Sequence, residues 1–422
     1  MPAVVGGGMG DIDEVLTAGA HLARTGVRLY LLRLPGRPWP RAIDGPWAWP
    51  PVATVHAPVQ RHPRALTVTP CFGLSAAPPR DAAYGRPGPW AQEAAEIERA
   101  YGAEATVHLS LEEFGRTYPA VTENRERFRE GGVPRSEWPT RDGGRQGERD
   151  VARWRTAFRR FRALDAGNVL HLLATFQPDA RFGREFPEIV QTGPLWPVSS
   201  SPARPRPPGQ DGYRVVWYAS PASSPTIARK VALALVGLDR PGDLTIRAPR
   251  PVLPDPPEGV RVRELPALSP VAWQRLSRSA DLRIVTGSRT LLEALAQGGP
   301  FLYFNGVTGG GRRRRRHRPE KVAGLLRLFR SLGVAPGLCD DLDRFSRGQR
   351  VVEVVGRAVG DPRWRRAFPS PSRVRSAVPT DAGKLLRRIA REWSGFEGNA
   401  EGLVRRYRNR PRLAADPRPP RS

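Results

Sequence analysis

One segment constrains the fold of this chain more than any other: residues 280–304, which read ADLRIVTGSRTLLEALAQGGPFLYF. It contains an apolar run that ends at Val285, a turn of small residues, a stretch that favours helix, and a second apolar run. Gly298, Gly299 and Pro300 stop the helix before the second run begins. A strand, a helix and a second strand in succession predict an α/β unit.

The turn inside this segment has the composition of an anion site. Thr286, Gly287 and Ser288 place backbone N–H groups and hydroxyls at a helix N-terminus, where an anion binds well. Glu293 lies one turn into the helix, near enough to that anion to accept hydrogen bonds from a sugar diol. Phosphate and ribose together indicate a nucleotide. The alternative is that Glu293 is a solvated surface residue, as most glutamates are.

A second glycine-containing turn occurs near the N-terminus. A short apolar strand, Ala3–Val5, is followed by Gly6–Gly10 and then by a helix-like run to Arg24. Glycines at a strand-to-helix turn let a ligand approach the backbone, but a plain tight turn has the same pattern. A dinucleotide site needs an acidic residue after the second strand, and the run Arg28–Leu34 ends in Pro35–Arg37 instead. The sequence therefore disfavours NAD and FAD.

The formal net charge of +27 raises the question of a nucleic-acid or anionic-membrane partner. Arginine supplies nearly all of the positive charge, and proline, glycine and alanine are abundant, as in proteins encoded by GC-rich genomes. No zinc-finger spacing, aromatic RNA-binding signature or basic-zipper heptad is present, so nucleic acid is not the favoured partner. The run Arg312–Arg316 is the exception and needs its own explanation.

Length and cysteine usage limit the remaining classes. A chain of 422 residues is too long for one core and predicts two domains. No apolar run approaches the length of a membrane span, and the absence of a charged leader before the first strand predicts no secretory signal. Cys71 and Cys339 lie far apart without a Cys/His cluster, so we expect neither a disulfide nor structural zinc. These features favour a cytoplasmic protein.

Segments rich in proline and glycine predict the domain boundaries. Residues 1–195 form a first domain with strand and helix signals at 2–5, 11–24, 27–34, 52–55 and 66–69, and with a loop-rich excursion over about 76–150. The segment Gln191–Pro197 and the Pro/Ser/Arg-rich residues after it indicate a linker, placed at 196–210. A second domain follows over 211–398. Residues 399–422 are a basic tail.

Taken together, three motifs resemble the GT-B superfamily of nucleotide-sugar glycosyltransferases, in particular the bacterial enzymes that add N-acetylglucosamine to lipid-linked muramoyl-pentapeptide. That family opens with a GGxGGH loop and a helix that ends in glycine, and GGGMGD at 6–11 leads to Gly26 at matching spacing. WYASPASSPTIAR at 217–229 is similar to its strand, small-residue loop and helix. Residues 280–300 resemble its AD-strand-SG-helix-Glu-AxxxGxP stretch, with a one-residue difference before the glutamate. The resemblance implies two Rossmann-like domains that face each other across a cleft.

The resemblance also implies roles for individual residues. Glu293 would bind the donor ribose. The loop 305–321, which has glycines followed by arginines, would close over the donor, although the family's usual glutamine is missing there. The alternative is an exposed loop whose charges contact only water. By the resemblance, Thr286, Gly287, Ser288 and Arg289 would face the diphosphate, and Ser220, Ser223 and Ser224 would line the cleft. The candidates in the closing loop are His317, Arg318 and Lys321. The glycine loop on the acceptor side would contribute Gly7, Gly8 and Gly10.

The first glycine loop departs from the family where the family has histidine. This chain has Asp11 there, with Asp13 close behind. A carboxylate can deprotonate an acceptor hydroxyl if burial raises its pKa, so Asp11 and Asp13 are the candidate catalytic residues. Asp11 could equally be only the N-cap of its helix, a role that aspartate often fills.

The functional expectation is sugar transfer from a nucleotide-diphosphate sugar, UDP-linked by resemblance, to an unknown acceptor for which a lipid-linked molecule is one option. Helix N-termini and arginines can stabilise a leaving diphosphate, so neither a metal nor another cofactor is expected. The resemblance also allows docking on the anionic inner face of a membrane. Two alternatives remain: a nucleotide-sugar epimerase or hydrolase of the same fold, and a non-catalytic basic protein that has kept the fold.

Overall fold

The structure, a computed structural model, describes residues 17–25, 30–32, 53–55, 64–70, 103–113, 167–176, 189–198, 212–219, 225–248, 251–265, 268, 270–304, 319–378 and 381–409. These residues form two compact units. Unit 1 contains the described residues up to Trp196 and those from Val378 onward, and unit 2 contains those from Pro197 to Ala377. Each unit has a parallel sheet, which confirms the predicted α/β class. The predicted cleft between two domains stays a prediction.

Unit 1 is built on two parallel arrangements of strands. The strands are β1 (Tyr30–Leu32), β2 (Ala53–Val55), β3 (Ala65–Pro70), β4 (Thr106–Glu113), β5 (Val169–Ala174) and β6 (Ile189–Thr192). β1 pairs with β2, while the other four form a sheet in the order β3-β4-β5-β6. The predicted strands at 27–34, 52–55 and 66–69 are confirmed, as is helix over 17–23. The predicted strand at 2–5 lies outside the described residues.

Unit 2 alternates strands with helices. In chain order it contains β7 (Tyr213–Tyr218), α1 (Pro225–Val236), β8 (Gly242–Arg247), β9 (Val260–Leu265), α2 (Pro270–Arg278), β10 (Leu282–Val285), α3 (Ser288–Gln297) and β11 (Phe301–Tyr303). Five helices follow: α4 (Pro319–Ser331), α5 (Pro336–Ser346), α6 (Val351–Gly360), α7 (Pro362–Arg366) and α8 (Pro371–Ala377). The strand-helix-strand reading of residues 280–304 is thereby confirmed.

The strand order of unit 2 shows where its sheet has a switch point. All neighbours are parallel in the order β11-β10-β7-β8-β9, so β7 is central. The chain runs from β7 through α1 to β8 on one side, and later returns through β10 on the other side of β7. Connections that leave β7 and β10 in opposite directions open a crevice at the carboxyl ends of these strands, the switch point of a Rossmann-like sheet.

Two C-terminal helices belong to unit 1, which differs from the sequence-based second domain of 211–398. They are α9 (Ala382–Ser394) and α10 (Ala400–Arg408), and they share one apolar core with β4 and β5. The Trp393 indole Nε1 donates to the Ala65 carbonyl at 3.0 Å, and Arg64 Nη1 donates to the Trp393 carbonyl at 2.8 Å. The place of these two helices in unit 1 depends on tertiary packing.

The segment that the sequence predicts to be a linker also contains part of the core. Thr192 closes β6, and Leu195 and Trp196 are buried. Proline and glycine around these side chains suggest an exposed connection, whereas burial of a leucine and a tryptophan stabilises the edge of unit 1. The last residues before the boundary at Trp196 are therefore a packed part of unit 1.

The helices among the described residues are short. The longest, α4 and α9, have 13 residues each. A helix of that length rises about 20 Å, less than the roughly 30 Å hydrocarbon core of a bilayer. In the part of the chain that the structure describes, no helix combines the length and apolar character needed to cross a membrane.

A buried histidine links α9 to the rest of unit 1. His21 Nε2 lies 2.8 Å from the Trp196 carbonyl oxygen, and Nδ1 lies 2.6 Å from Nη1 of Arg387. Since a carbonyl only accepts and a guanidinium only donates, these partners assign a neutral ring with its proton on Nε2. Burial lowers the pKa of His21 below its usual value, which agrees with the neutral form.

The backbone at Gly383 leaves room for that ring, and replacing this glycine should be costly. A Cβ at Gly383 would overlap the His21 imidazole, so Gly383→Ala must displace the ring and break its hydrogen bonds. We expect a loss of roughly 1–3 kcal/mol in the free energy of unfolding, measured by urea denaturation. Gly356→Ala is the control: a Cβ in α6 would meet no atom within 4 Å, so higher helix propensity should stabilise the protein. Equal effects of the two substitutions would contradict this account.

Candidate functional site

The candidate site lies at the switch point of unit 2, where β7 and β10 end. Thr286, the first residue after β10, donates its hydroxyl Oγ1 to the carbonyl oxygen of Tyr218, the last residue of β7, at 2.7 Å. This hydrogen bond joins the two strands whose connections diverge. The mouth of the crevice is therefore held at a defined width on the carboxyl edge of the sheet.

The N-terminus of α3 lies at the same edge. Gly287 is its N-cap residue, with φ −108° and ψ 161°, and it has no side chain that could accept from the first-turn N–H groups. Its own N–H donates to Thr290 Oγ1 at 3.2 Å. A glycine in this position leaves the positive end of the helix accessible to an anion, as the sequence predicts.

Glu293 is buried rather than solvated, so the surface alternative for this residue is wrong. Its exposed fraction is 7%. Arg289 lies one turn earlier on α3, and its Nε is 3.3 Å from Oε1 of Glu293. The side chains of Trp273 and Gln274, both in α2, also face this carboxylate and lower its pKa as hydrogen-bond donors. Glu293 is thus enclosed between two helices beside the switch point.

The environment of Glu293 opposes its charge. Burial raises the pKa of the carboxyl, whereas Arg289, Gln274 and Trp273 lower it, and the effect of burial is the larger. A carboxylate in such a place costs stability at neutral pH. Buried carboxylates with a shifted pKa are over-represented at functional sites, so Glu293 is a candidate functional residue.

Aromatic and cationic side chains complete this edge of the sheet. The rings of Tyr218 and Trp273 meet edge to face, with centroids 5.2 Å apart and planes at 74°. Arg247, the last residue of β8, places its Cζ 4.7 Å from the centroid of the Tyr218 ring. Sequence reasoning missed these residues and Gln274. Tyr218 and Arg247 could have been found as the last residues of neighbouring strands, whereas the place of α2 became visible only in the fold.

Several predicted site residues cannot be located. The described residues do not include Asp11, Asp13, Gly7, Gly8, Gly10, Ser220, Ser223, Ser224, His317 or Arg318. Lys321 lies in α4, and its side chain is not among those described. The structure brings together the loop after β10 and the first turns of α3, which contain Thr286, Gly287, Ser288, Arg289 and Glu293. In the described part of the chain, no three His, Cys, Asp or Glu side chains cluster closely enough to hold a metal ion.

Comparisons with known proteins give structural likenesses only. No family model matches the chain, and no curated protein matches it. Among solved structures it is similar to a UDP-glucosyltransferase from Polygonum tinctorium, with 14% identity over 96% of this chain and 97% of that chain and a TM-score of 0.49. It is also similar to a calicheamicin glycosyltransferase (15% identity, 94% of this chain and 97% of that chain, TM-score 0.46) and to MurG of Acinetobacter baumannii (11%, 92% and 98%, 0.41). All three are glycosyltransferases, and each TM-score is below 0.5.

Proposed function

We propose that this protein is a glycosyltransferase that takes a sugar from a nucleotide-diphosphate sugar, with UDP as the nucleotide, and transfers it to an acceptor. The buried carboxylate of Glu293, one turn inside a helix that begins at the switch point, carries this proposal. An anion site alone would suit any phosphate ligand. A buried acceptor of hydrogen bonds beside it suits a ligand that also has hydroxyl donors.

The spacing within α3 supports a nucleotide in particular. From Ser288 to Glu293 the helix advances by about 7.5 Å, at 1.5 Å per residue. A ribose 5′-diphosphate can span such a distance, with the phosphates at the N-terminus and the diol at the carboxylate. Diphosphate and ribose would then be recognised by the backbone and by a side chain of the same rigid element, which keeps the two contacts in register.

The proposed chemistry needs stabilisation of the leaving diphosphate. As the bond between the sugar and the diphosphate breaks, negative charge grows on the diphosphate, and the N-terminal dipole of α3 together with Arg289 would stabilise it. No metal is required for that step. Asp11, with Asp13 beside it in sequence, is proposed as the base that removes the acceptor proton. We also propose that the acceptor is lipid-linked and that the enzyme acts at the anionic cytoplasmic face of a membrane.

Calorimetric titration tests the proposal directly. The purified protein is titrated with UDP, UDP-N-acetylglucosamine, GDP and NAD. We expect micromolar binding of UDP and its sugar, and much weaker binding of NAD, because the run Arg28–Leu34 is not followed by the acidic residue that a dinucleotide site needs. A folded protein that binds none of the four ligands would overturn the proposal.

Gly287→Asp should block the site without damaging the helix. The extended backbone of Gly287 suits any residue, and a Cβ there would meet only Thr290 Oγ1, at 3.6 Å. The aspartate would accept hydrogen bonds from the first-turn N–H groups and would repel a diphosphate. We expect at least about a tenfold loss of UDP affinity, equivalent to about 1.4 kcal/mol, and unchanged or higher thermal stability. Gly287→Ala, which adds neither cap nor charge, should bind UDP normally; if Gly287→Asp did so too, the diphosphate would lie elsewhere.

A further inference from the structure

The ion pair between Arg289 and Glu293 is in a place that helix stability does not explain. Arg289 lies in the first turn of α3, where the positive end of the helix dipole disfavours a cation. The pair also runs in the weaker direction, because the base precedes the acid by four residues. Yet the Arg289 side chain is only 16% exposed. A partly buried cation at a helix N-terminus is instead well placed for an anionic ligand.

Glu293 has partners other than Arg289. Gln274 and Trp273 reach it from α2, and these contacts do not depend on Arg289. They hold the carboxylate in place if the arginine moves away. Arg289 is therefore the partner that can be exchanged, since its long side chain starts one turn nearer the helix N-terminus than the carboxylate it contacts.

We propose that Arg289 couples recognition of the diphosphate to recognition of the ribose. Without ligand, Arg289 is paired with Glu293. When a diphosphate occupies the N-terminus of α3, Arg289 turns to the phosphate oxygens and leaves Oε1 of Glu293 free to accept from the ribose diol. The coupling rests on the proposed function, and it makes Arg289 a specificity-determining residue that selects nucleoside diphosphates over nucleosides.

The coupling can be measured by supplying the two halves of the ligand separately. Uridine binding is followed by ligand-observed NMR with and without saturating inorganic pyrophosphate, and 2′-deoxyuridine is treated in the same way. We expect pyrophosphate to tighten uridine binding by about fivefold or more, within the usual range of coupling between sites. The effect on 2′-deoxyuridine should be clearly smaller, because that ligand lacks one of the hydroxyls that Glu293 would bind.

Variants show whether Arg289 is responsible. Arg289→Gln should abolish the effect of pyrophosphate on uridine, while Arg289→Lys, which keeps the charge, should restore part of it. Arg347→Gln is the matched control, since Arg347 also forms an i,i+4 ion pair, with Asp343 at 3.1 Å in α5; its coupling should equal that of the wild type. Thermal unfolding of each variant checks that it is folded.

The failure of this inference is distinct from failure of the proposed function. If the wild type binds UDP but pyrophosphate does not tighten uridine binding, whether because uridine binds equally or does not bind in either condition, the coupling is overturned and the transferase proposal stands. Equal pyrophosphate effects in the wild type and Arg289→Gln would also overturn it. If the wild type does not bind UDP at all, the proposed function fails and the inference fails with it.

Discussion

Glu293→Gln is expected to lower the affinity for UDP by about 100-fold while the protein remains folded. The carboxylate would accept hydrogen bonds from the ribose diol, and a hydrogen bond to a charged group contributes about 1.5–3 kcal/mol. A loss of about 3 kcal/mol corresponds to about two powers of ten in the dissociation constant. Glutamine keeps the size of the side chain and its contact with α2, so the effect should be specific to binding.

The same substitution should not destabilise the protein at neutral pH. Burial raises the pKa of Glu293 above its ordinary value of 4.5, so the folded state holds the proton more tightly than the unfolded state. The stabilisation from this group is therefore full below about pH 4.5 and is lost as the pH rises through the raised pKa. Glutamine has no such dependence. Relative to the wild type, the stability of Glu293→Gln should thus increase as the pH rises from about 4.5 and then level off.

Two measurements made on the same samples test this expectation: calorimetric titration with UDP, and thermal unfolding between about pH 4 and pH 8. Glu353→Gln serves as the control, because Glu353 is an exposed partner of Arg350 at 3.5 Å in the same unit; neither its UDP affinity nor its stability profile should change much. If Glu293→Gln bound UDP as tightly as the wild type, the ribose would not bind at Glu293. A variant that is less stable than the wild type at every pH would make Glu293 a structural residue.

Arg283→Met is expected to destabilise unit 2 by about 2–4 kcal/mol. Arg283 is 1% exposed in β10, and its guanidinium donates to acceptors at the C-terminal end of α3. These acceptors are the carbonyls of Pro300 (Nε, 3.3 Å), Ala294 (Nη1, 3.5 Å) and Gly298 (Nη2), and Oε1 of Gln297 (Nη1, 3.0 Å). An acceptor left buried without a donor costs about 1–3 kcal/mol, and release from burying a charge offsets part of the sum.

The charge of Arg283 persists in this site. Burial lowers the pKa of the guanidinium to about 10, which still leaves it protonated at neutral pH. Its positive charge lies at the negative end of the α3 dipole, where a cation is favourable. Methionine fills much of the volume but donates no hydrogen bond, so the carbonyls at the helix end lose their partner.

Scanning calorimetry measures the expected loss, which should lower the unfolding temperature of unit 2 by about 5–15 °C. Arg283→Lys is the informative companion variant. It keeps the charge but has fewer donors in a less rigid arrangement, so its unfolding temperature should fall between those of the wild type and the methionine variant. If Arg283→Met unfolded at the wild-type temperature, the guanidinium would not be needed to complete α3.

Much of unit 2 could be predicted from the sequence because its signals are local. The apolar run that ends at Val285, the small residues after it and the stop at Gly298–Pro300 each depend on neighbouring residues only. They located β10, α3 and β11 and singled out Glu293 as a candidate ligand. The sequence-based prediction missed β4, β5 and β6. β4 lies inside the stretch 76–150 that was predicted to be loop-rich, although Val107, Leu109 and Leu111 alternate there with polar residues and are buried.

What only the tertiary structure decided is which elements meet. The sequence by itself determined an α/β chain and a strand-turn-helix suited to an anion. It did not determine that α9 completes the core of unit 1, or that Glu293 is buried against α2 beside Arg289. Periodicity states that a residue has an apolar or buried side, whereas the identity of its partner depends on strand order and long-range packing. For Glu293, burial against α2 raised the pKa of the carboxyl and limited its exposure, and the proposed role follows from both.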